Sequence, residues 1–156
     1  MSLSTPASAP APTVPRWLNR IVVWLLRSPA HALMSRTTML LTFTGRQSGR
    51  RYTIPVRYLR EGDTLLTTTD SRWWRNLRGG VLVELHLAGQ KIAGKADVNT
   101  NAEAVEQGIR AILRHMPGDA RYYQVHLDRQ GQPDLASLKQ AAQTNVLVSI
   151  LIGSQA

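Results

Sequence analysis

From Thr38 onward, tight turn sequences cut the chain into short runs of apolar and β-branched residues, and this punctuation decides what it can fold into. Met39 to Phe43 reads as a buried-type strand, Tyr52 to Arg60 as its partner, and Thr64 to Thr69 as a third strand rich in β-branched residues. Gly45-Arg-Gln-Ser-Gly49 and Glu61-Gly62-Asp63 are the turns between them. Val81, Val83, Leu85 and Leu87 alternate with other residues, and Ala88-Gly89-Gln90 turns that strand into another over Lys91 to Val98. Consecutive short strands joined in this way favour an antiparallel barrel over a doubly wound sheet.

Helical signals flank and interrupt the strands. Arg72 to Arg78 reads as a short helix stopped by Gly79-Gly80. Thr100-Asn-Ala-Glu103 has the form of a capping box, and Val105, Ile109, Ile112 and Leu113 make the apolar stripe of the helix it opens. Beyond Tyr122 to Leu127 lies a polar turn from Asp128 to Pro133. A helix from about Asp134 to Gln143 and a closing strand from Val146 to Ile152 follow. Residues 1–15 are rich in Pro, Ala, Ser and Thr, with no basic charge before Arg16, and read as a disordered tail rather than a secretory signal. Residues 16–156 then form one domain that begins with an apolar helix over 16–27. That helix packs on the barrel flank or, given Trp17, Trp24 and its arginines, lies at a membrane interface. No segment reaches the roughly 20 apolar residues of a membrane-spanning helix, and a cytoplasmic protein, with membrane association through 16–27 left open, is expected.

Charge narrows the partners. The formal net charge is +9, and Lys91, Lys95 and Lys139 are the only lysines, so arginine carries most of it. Guanidinium forks suit phosphate and carboxylate, which leaves nucleic acid, an anionic membrane or an anionic small molecule as candidates. Nucleic-acid binding rests on charge alone, because the basic residues lack interleaved aromatics on a recognisable platform, and it is not expected. With no cysteine in the chain, disulfides, thiolate metal sites and cysteine nucleophiles are excluded. His31, His86 and His115 have no acidic residue at ligand spacing, and no metal site is expected.

Three groups of residues can carry chemistry. In the first hairpin, Gly45 and Gly49 let backbone amides approach a ligand, Ser48 adds a hydroxyl, and Arg46, Arg50 and Arg51 add charge-assisted donors. Together they read as a cradle for an anion. In the second group, Trp73 and Trp74 point about 100° apart on a helix, so one anchors the core and the other is free to wall a pocket. Asn76 stands at a spacing that lets it reach a ligand or brace a loop. Tyr122, Tyr123 and His126 form the third group, as candidate proton donors.

Thr44-Gly45-Arg46-Gln47-Ser48-Gly49, then Pro55, then Trp73-Trp74-Arg75-Asn76-Leu77 resemble, in that order, the motifs of the deazaflavin-dependent nitroreductase family. Gln47 and Tyr52 stand where the family pattern has a lysine and an arginine, and only three residues separate Thr69 from Trp73, where family members carry a longer loop. The resemblance implies a split β-barrel of the flavin-reductase, FMN-binding type, mainly β with flanking helices. It also implies that reduced coenzyme F420 binds along the hairpin, with FMN or haem as lesser options. The phosphate would lie near Arg46, Ser48, Arg50 and Arg51, with Gly45, Gln47 and Gly49 completing the cofactor-binding turn. The ring would lie against Thr67, Thr68, Thr69 and one of the tryptophans, and Pro55, Val56 and Asn76 are also expected among the cofactor-binding residues. Hydride would pass to a quinone, a nitro compound or another activated double bond, with Tyr122, Tyr123 or His126 supplying a proton. The alternative on the same barrel is a non-catalytic carrier of fatty acids or other hydrophobic ligands. Such barrels often pair across a sheet face, which leaves a homodimer open.

Overall fold

The computed structural model describes residues 36–153. The expected tail over 1–15, the helix over 16–27 with its membrane alternative, and His31 to Met34 lie outside the described residues. Among the described residues, seven strands form one antiparallel sheet: β1 (Thr38–Thr44), β2 (Arg51–Arg57), β3 (Leu59–Glu61), β4 (Thr64–Thr69), β5 (Val81–Leu87), β6 (Gln90–Asn99) and β7 (Val146–Ile152). A 3-10 helix (Arg72–Leu77) joins β4 to β5. Three α-helices, α1 (Ala102–His115), α2 (Ala120–Tyr123) and α3 (Leu135–Thr144), lie between β6 and β7.

The sheet order is β2-β1-β5-β6-β7-β4-β3, so its two edge strands are consecutive in the chain with only Tyr58 between them. Such an order is satisfied only if the sheet curls until its edges meet. One strand over Tyr52 to Arg60 was the expectation from sequence. It is instead two strands, because β2 pairs with β1 while β3 pairs with β4 on the opposite edge. At the corner the Tyr58 amide donates to the Thr37 carbonyl at 2.9 Å and the Tyr58 ring turns into the core.

Alternation fills the barrel. Met39, Leu41 and Phe43 of β1 pack with Val83, Leu85 and Leu87 of β5 and with Val148, Ile150 and Ile152 of β7, each worth about 1.5–3 kcal/mol on full burial. Gly94 sits in this core because a Cβ there would lie 2.6 Å from Ile150 Cγ2. A second apolar layer joins Val105, Ile109 and Leu113 of α1 to Leu138, Ala141 and Ala142 of α3, outside the sheet. The stripe of α1 read from sequence is the face that is buried. Its cap differs from the expectation: Asn101, not Thr100, is the N-cap, and its Oδ1 accepts from the amides of Glu103 and Ala104 at 3.0 and 3.2 Å. Asn99 Oδ1 in turn accepts from the Asn101 amide at 2.9 Å, which sets the chain one residue further on than a Thr100 cap would.

Candidate functional site

The β1–β2 turn closes on itself. The Gly45 amide donates to the Arg50 carbonyl at 2.8 Å and the Gly49 amide to the Gly45 carbonyl at 3.0 Å. Gly45 is buried, and a Cβ there would lie 2.7 Å from Ser48 Oγ and 2.8 Å from the Tyr52 ring, so the tight turn requires glycine at this point. Asn76 braces it from the 3-10 helix: Oδ1 accepts from the Arg46 amide at 3.0 Å, while Nδ2 donates to the Trp73 carbonyl at 3.0 Å. Arg46 Nη1 also reaches the Arg75 carbonyl at 3.4 Å. These contacts set turn and helix side by side around a hollow of about 470 Å³ that Gly45, Arg46, Gln47, Ser48, Tyr52, Arg72, Arg75, Asn76 and Arg78 line.

Four guanidinium groups thus converge where sequence reasoning had placed three. Arg46 is common to both sets. Arg51 lies instead on the outer face of the sheet, 3.5 Å from Glu84, which also pairs with Lys91. These two cations hold the Glu84 carboxyl below its ordinary range, Lys91 contributing most. Arg50 and Gly49 are exposed and do not line the hollow. Arg72, Arg75 and Arg78 replace Arg50 and Arg51, and none of the three has an acidic partner within ion-pair distance among the described residues. Arg78 lies 4.5 Å and Arg75 5.7 Å from the Trp74 ring centroid, so this tryptophan orients two of the cations. Their spacing of three around the WW-x-N motif was the available sequence signal.

A larger cleft of about 550 Å³ opens between the sheet edge and the helices. Pro55, Val56, Thr67, Thr68, Thr69 and Trp73 line its barrel side; Met116, Asp119, Tyr122, Tyr123 and Gln140 line its helical side. The two depressions are linked by a row of aromatic rings. Tyr52, in the wall of the hollow, stacks on Phe43 at 5.8 Å, and Phe43 stacks on Trp73, in the wall of the cleft, at 6.0 Å. Along β2, Tyr52 and Pro55 stand three residues apart, roughly 10 Å at the rise of a strand. The two tryptophans therefore divide their roles. Trp73 bridges core and cleft, while Trp74 packs on the core edge beneath the arginines.

In the cleft, Thr68 Oγ1 and the Tyr123 hydroxyl share a hydrogen bond of 2.6 Å. Burial pushes the Tyr123 phenol above its ordinary value, and nearby Asp119 adds to this, while Thr68 and Arg57 pull the other way. Tyr123 therefore keeps its proton across the neutral range. Tyr122 is exposed at the rim, where its hydroxyl accepts from Arg121 Nη2 at 3.1 Å. His126 is exposed and outside the cleft lining; its amide donates to Ser137 Oγ at 3.1 Å. Sequence reasoning missed Arg57 and Asp119, which both line the cleft and pair there, Arg57 Nε donating to Asp119 Oδ2 at 2.8 Å. Their separation of 62 residues gives no local pattern from which to read the pair.

A model of the F420H(2)-dependent quinone reductase family matches residues 18–133, well over half of the chain. No curated protein matches it in sequence. Among solved structures, it resembles a Clostridium acetobutylicum protein related to general stress protein 26, of the pyridoxinephosphate oxidase family. The TM-score is 0.54 at 10% identity, over 83% of this chain and 84% of that one. It also resembles the FAD and heme binding protein of Mycobacterium smegmatis (TM-score 0.52, 15% identity, 83% and 68% covered). A conserved hypothetical protein of Mycobacterium tuberculosis is similar too (TM-score 0.52, 18% identity, 80% of each chain covered). At these identities the likeness is one of fold, and the fold is the split β-barrel with flanking helices.

Proposed function

The chain belongs to the F420H(2)-dependent quinone reductase family, whose members are deazaflavin-dependent oxidoreductases, and we propose that hollow and cleft together hold coenzyme F420 beside a quinone-type acceptor. The observation that carries this reading is the pairing of an arginine-lined hollow with a ring-sized cleft, joined by the Tyr52–Phe43–Trp73 row. The donor set fits the group. An acidic, phosphate-bearing tail suits four guanidinium groups that have no acidic partner among the described residues, and a flat heterocycle suits a cleft walled by Trp73, Pro55 and Val56. Gln47 and Tyr52 are no obstacle, because Arg72, Arg75 and Arg78 bring the cationic character from the 3-10 helix.

Reduced deazaflavin, when bound, supplies a hydride. Arg46, Ser48, Arg72, Arg75 and Arg78 bind the tail, with Asn76 fixing the turn that carries Arg46. Trp73, Pro55, Val56 and the threonines of β4 orient the ring and exclude water from one side. Tyr123 keeps a proton beside the acceptor, and Thr68 fixes the direction of its hydroxyl. Threonine, tyrosine, glutamine, asparagine and aspartate make up much of the cleft wall, which does not favour a carrier of alkyl chains.

Titration of the purified protein with coenzyme F420, followed by the cofactor's fluorescence and by calorimetry, tests the reading. Saturable one-site binding that weakens when Arg72 and Arg75 are both changed to Gln is expected. Absence of binding would overturn it.

A further inference from the structure

Among the described residues that line the cleft, Arg57 is the sole cation. It stands at the end of β2, and its guanidinium is fixed from behind. Nε donates to Asp119 Oδ2 at 2.8 Å, and Nη2 contacts Met116 Sδ at 3.6 Å. The Asp119 side chain is only 8% exposed, whereas that of Arg57 is 46% exposed, so the carboxylate lies behind and the cation faces the open volume. These contacts use Nε and Nη2, and Nη1 has no acceptor among the described residues. Tyr123 lines the same cleft, where Asp119 raises and Arg57 lowers the pKa of its phenol. Among the described residues of the lining, the other charged group is Asp70, just past the end of β4, and Tyr58 and Tyr122 complete the titratable set.

We infer that Arg57, held in place by Asp119, forms a site for a phenolate-type oxyanion in the cleft, next to the Tyr123 hydroxyl. This inference rests on the quinone-reducing reading and names what that cleft recognises. Addition of a hydride to a neutral quinone moves two electrons onto it and leaves a hydroquinone monoanion, one proton short of hydroquinone, while the donor is oxidised by the same two electrons. The negative charge appears on an oxygen. A preorganised guanidinium beside that oxygen stabilises the charge as it develops, and the Tyr123 hydroxyl, bonded to Thr68, lies in the same cleft wall. Arg57 is thus a binding group for the reduced acceptor, and Asp119 is its positioning residue. The same arrangement selects acceptors that become oxyanions on reduction, namely quinones and nitroaromatics, over unactivated alkenes.

The test uses 4-nitrophenol, whose anion absorbs in the visible, mixed with the full chain in the absence of cofactor. The bound phenol is expected to ionise about one unit lower than in water, which equals about tenfold preference for the anion. Arg57→Gln removes this preference. Because that change leaves Asp119 buried without its partner, the double variant Arg57→Gln/Asp119→Asn is measured alongside, with a circular dichroism melt to show that it folds. Asp119→Asn alone, with the cation retained but loosened, is expected to keep only part of the preference. Equal affinity for phenol and phenolate in the wild type would overturn the inference, as would a preference that survives in the folded double variant. Failure of F420 to bind while the phenolate preference stands would sink the functional reading and leave the oxyanion site. Cofactor binding without any phenolate preference would do the reverse.

Discussion

Asn76 shows how much a single side chain settles. Its amide spans two elements, accepting from the Arg46 backbone and donating to the Trp73 carbonyl, so turn and 3-10 helix are fixed by one group. Its spacing from the tryptophans had left two roles open, to reach a ligand or to brace a loop, and the structure shows it bracing the turn. Replacement by alanine strands a backbone donor at the turn and lets Arg46 drift, and F420 affinity measured by fluorescence is expected to fall about tenfold, a loss of about 1.4 kcal/mol, with Tm little changed. An unchanged affinity would mean that the turn holds its shape unaided. Tyr123 gives a second case. Its buried phenol has a raised pKa, so the folded state holds its proton more tightly than the unfolded chain does. The stabilisation is complete below the unfolded value of about 10 and is lost as pH rises through the higher folded value. Tyr123→Phe removes the 2.6 Å bond to Thr68 and is expected to cost about 1 kcal/mol at neutral pH. In urea melts from pH 7 to 11, the gap between wild type and variant should stay constant at first and narrow above about pH 10. A gap that widens there would contradict the assignment. Asp119 had no such signal in sequence, because its partner Arg57 is brought to it only by the curl of the sheet.

Elements were legible where their pattern is local. The stripe Val105, Ile109, Ile112 and Leu113 specified α1, and alternation specified β5, because period alone decides which face is buried. The division of Tyr52 to Arg60 into β2 and β3 was not legible. It follows from partners at opposite ends of the sheet order, information that no window on the sequence contains. The cap of α1 failed for a finer reason: Thr100 and Asn101 are both good caps, and Asn99 decides between them by bonding the Asn101 amide. Asn101→Ala is therefore expected to lower stability by about 1 kcal/mol, whereas Thr100→Ala should lie within about 0.5 kcal/mol of wild type, as surface changes do. Equal losses in the two variants, read from thermal melts, would restore Thr100 as the cap. Gly94→Ala in β6 tests the barrel in the same way. The added methyl would meet Ile150 Cγ2 at 2.6 Å and Leu85 Cδ1 at 3.3 Å, and overpacking of this kind costs about 1–3 kcal/mol.

Charge acts on the scale of the whole molecule, because +9 is spread over a small protein and reaches any anion that approaches. Sequence reasoning read that excess as a pointer to an anionic ligand and fixed its place at the first hairpin. The proposed site keeps that hairpin and changes the cast: Arg51 is tied to Glu84 outside, and the 3-10 helix delivers Arg72, Arg75 and Arg78. A general excess of charge and a built cradle respond differently to salt and to mutation. Both weaken as added salt shortens the Debye length from about 10 Å at 0.1 M to about 3 Å at 1 M. Only the cradle distinguishes among arginines. Arg75→Gln and Arg129→Gln remove the same net charge, yet Arg129 lies in the Asp128–Gly131 turn, away from the hollow. The expected result is a several-fold loss of F420 affinity, with a shallower salt dependence, for Arg75→Gln, against a change of less than twofold for Arg129→Gln. Calorimetry at 0.05, 0.15 and about 0.5 M NaCl reads both quantities in one series. Equal losses from the two substitutions would mean that the molecule attracts its ligand by total charge, and the hollow would lose its claim to be the site.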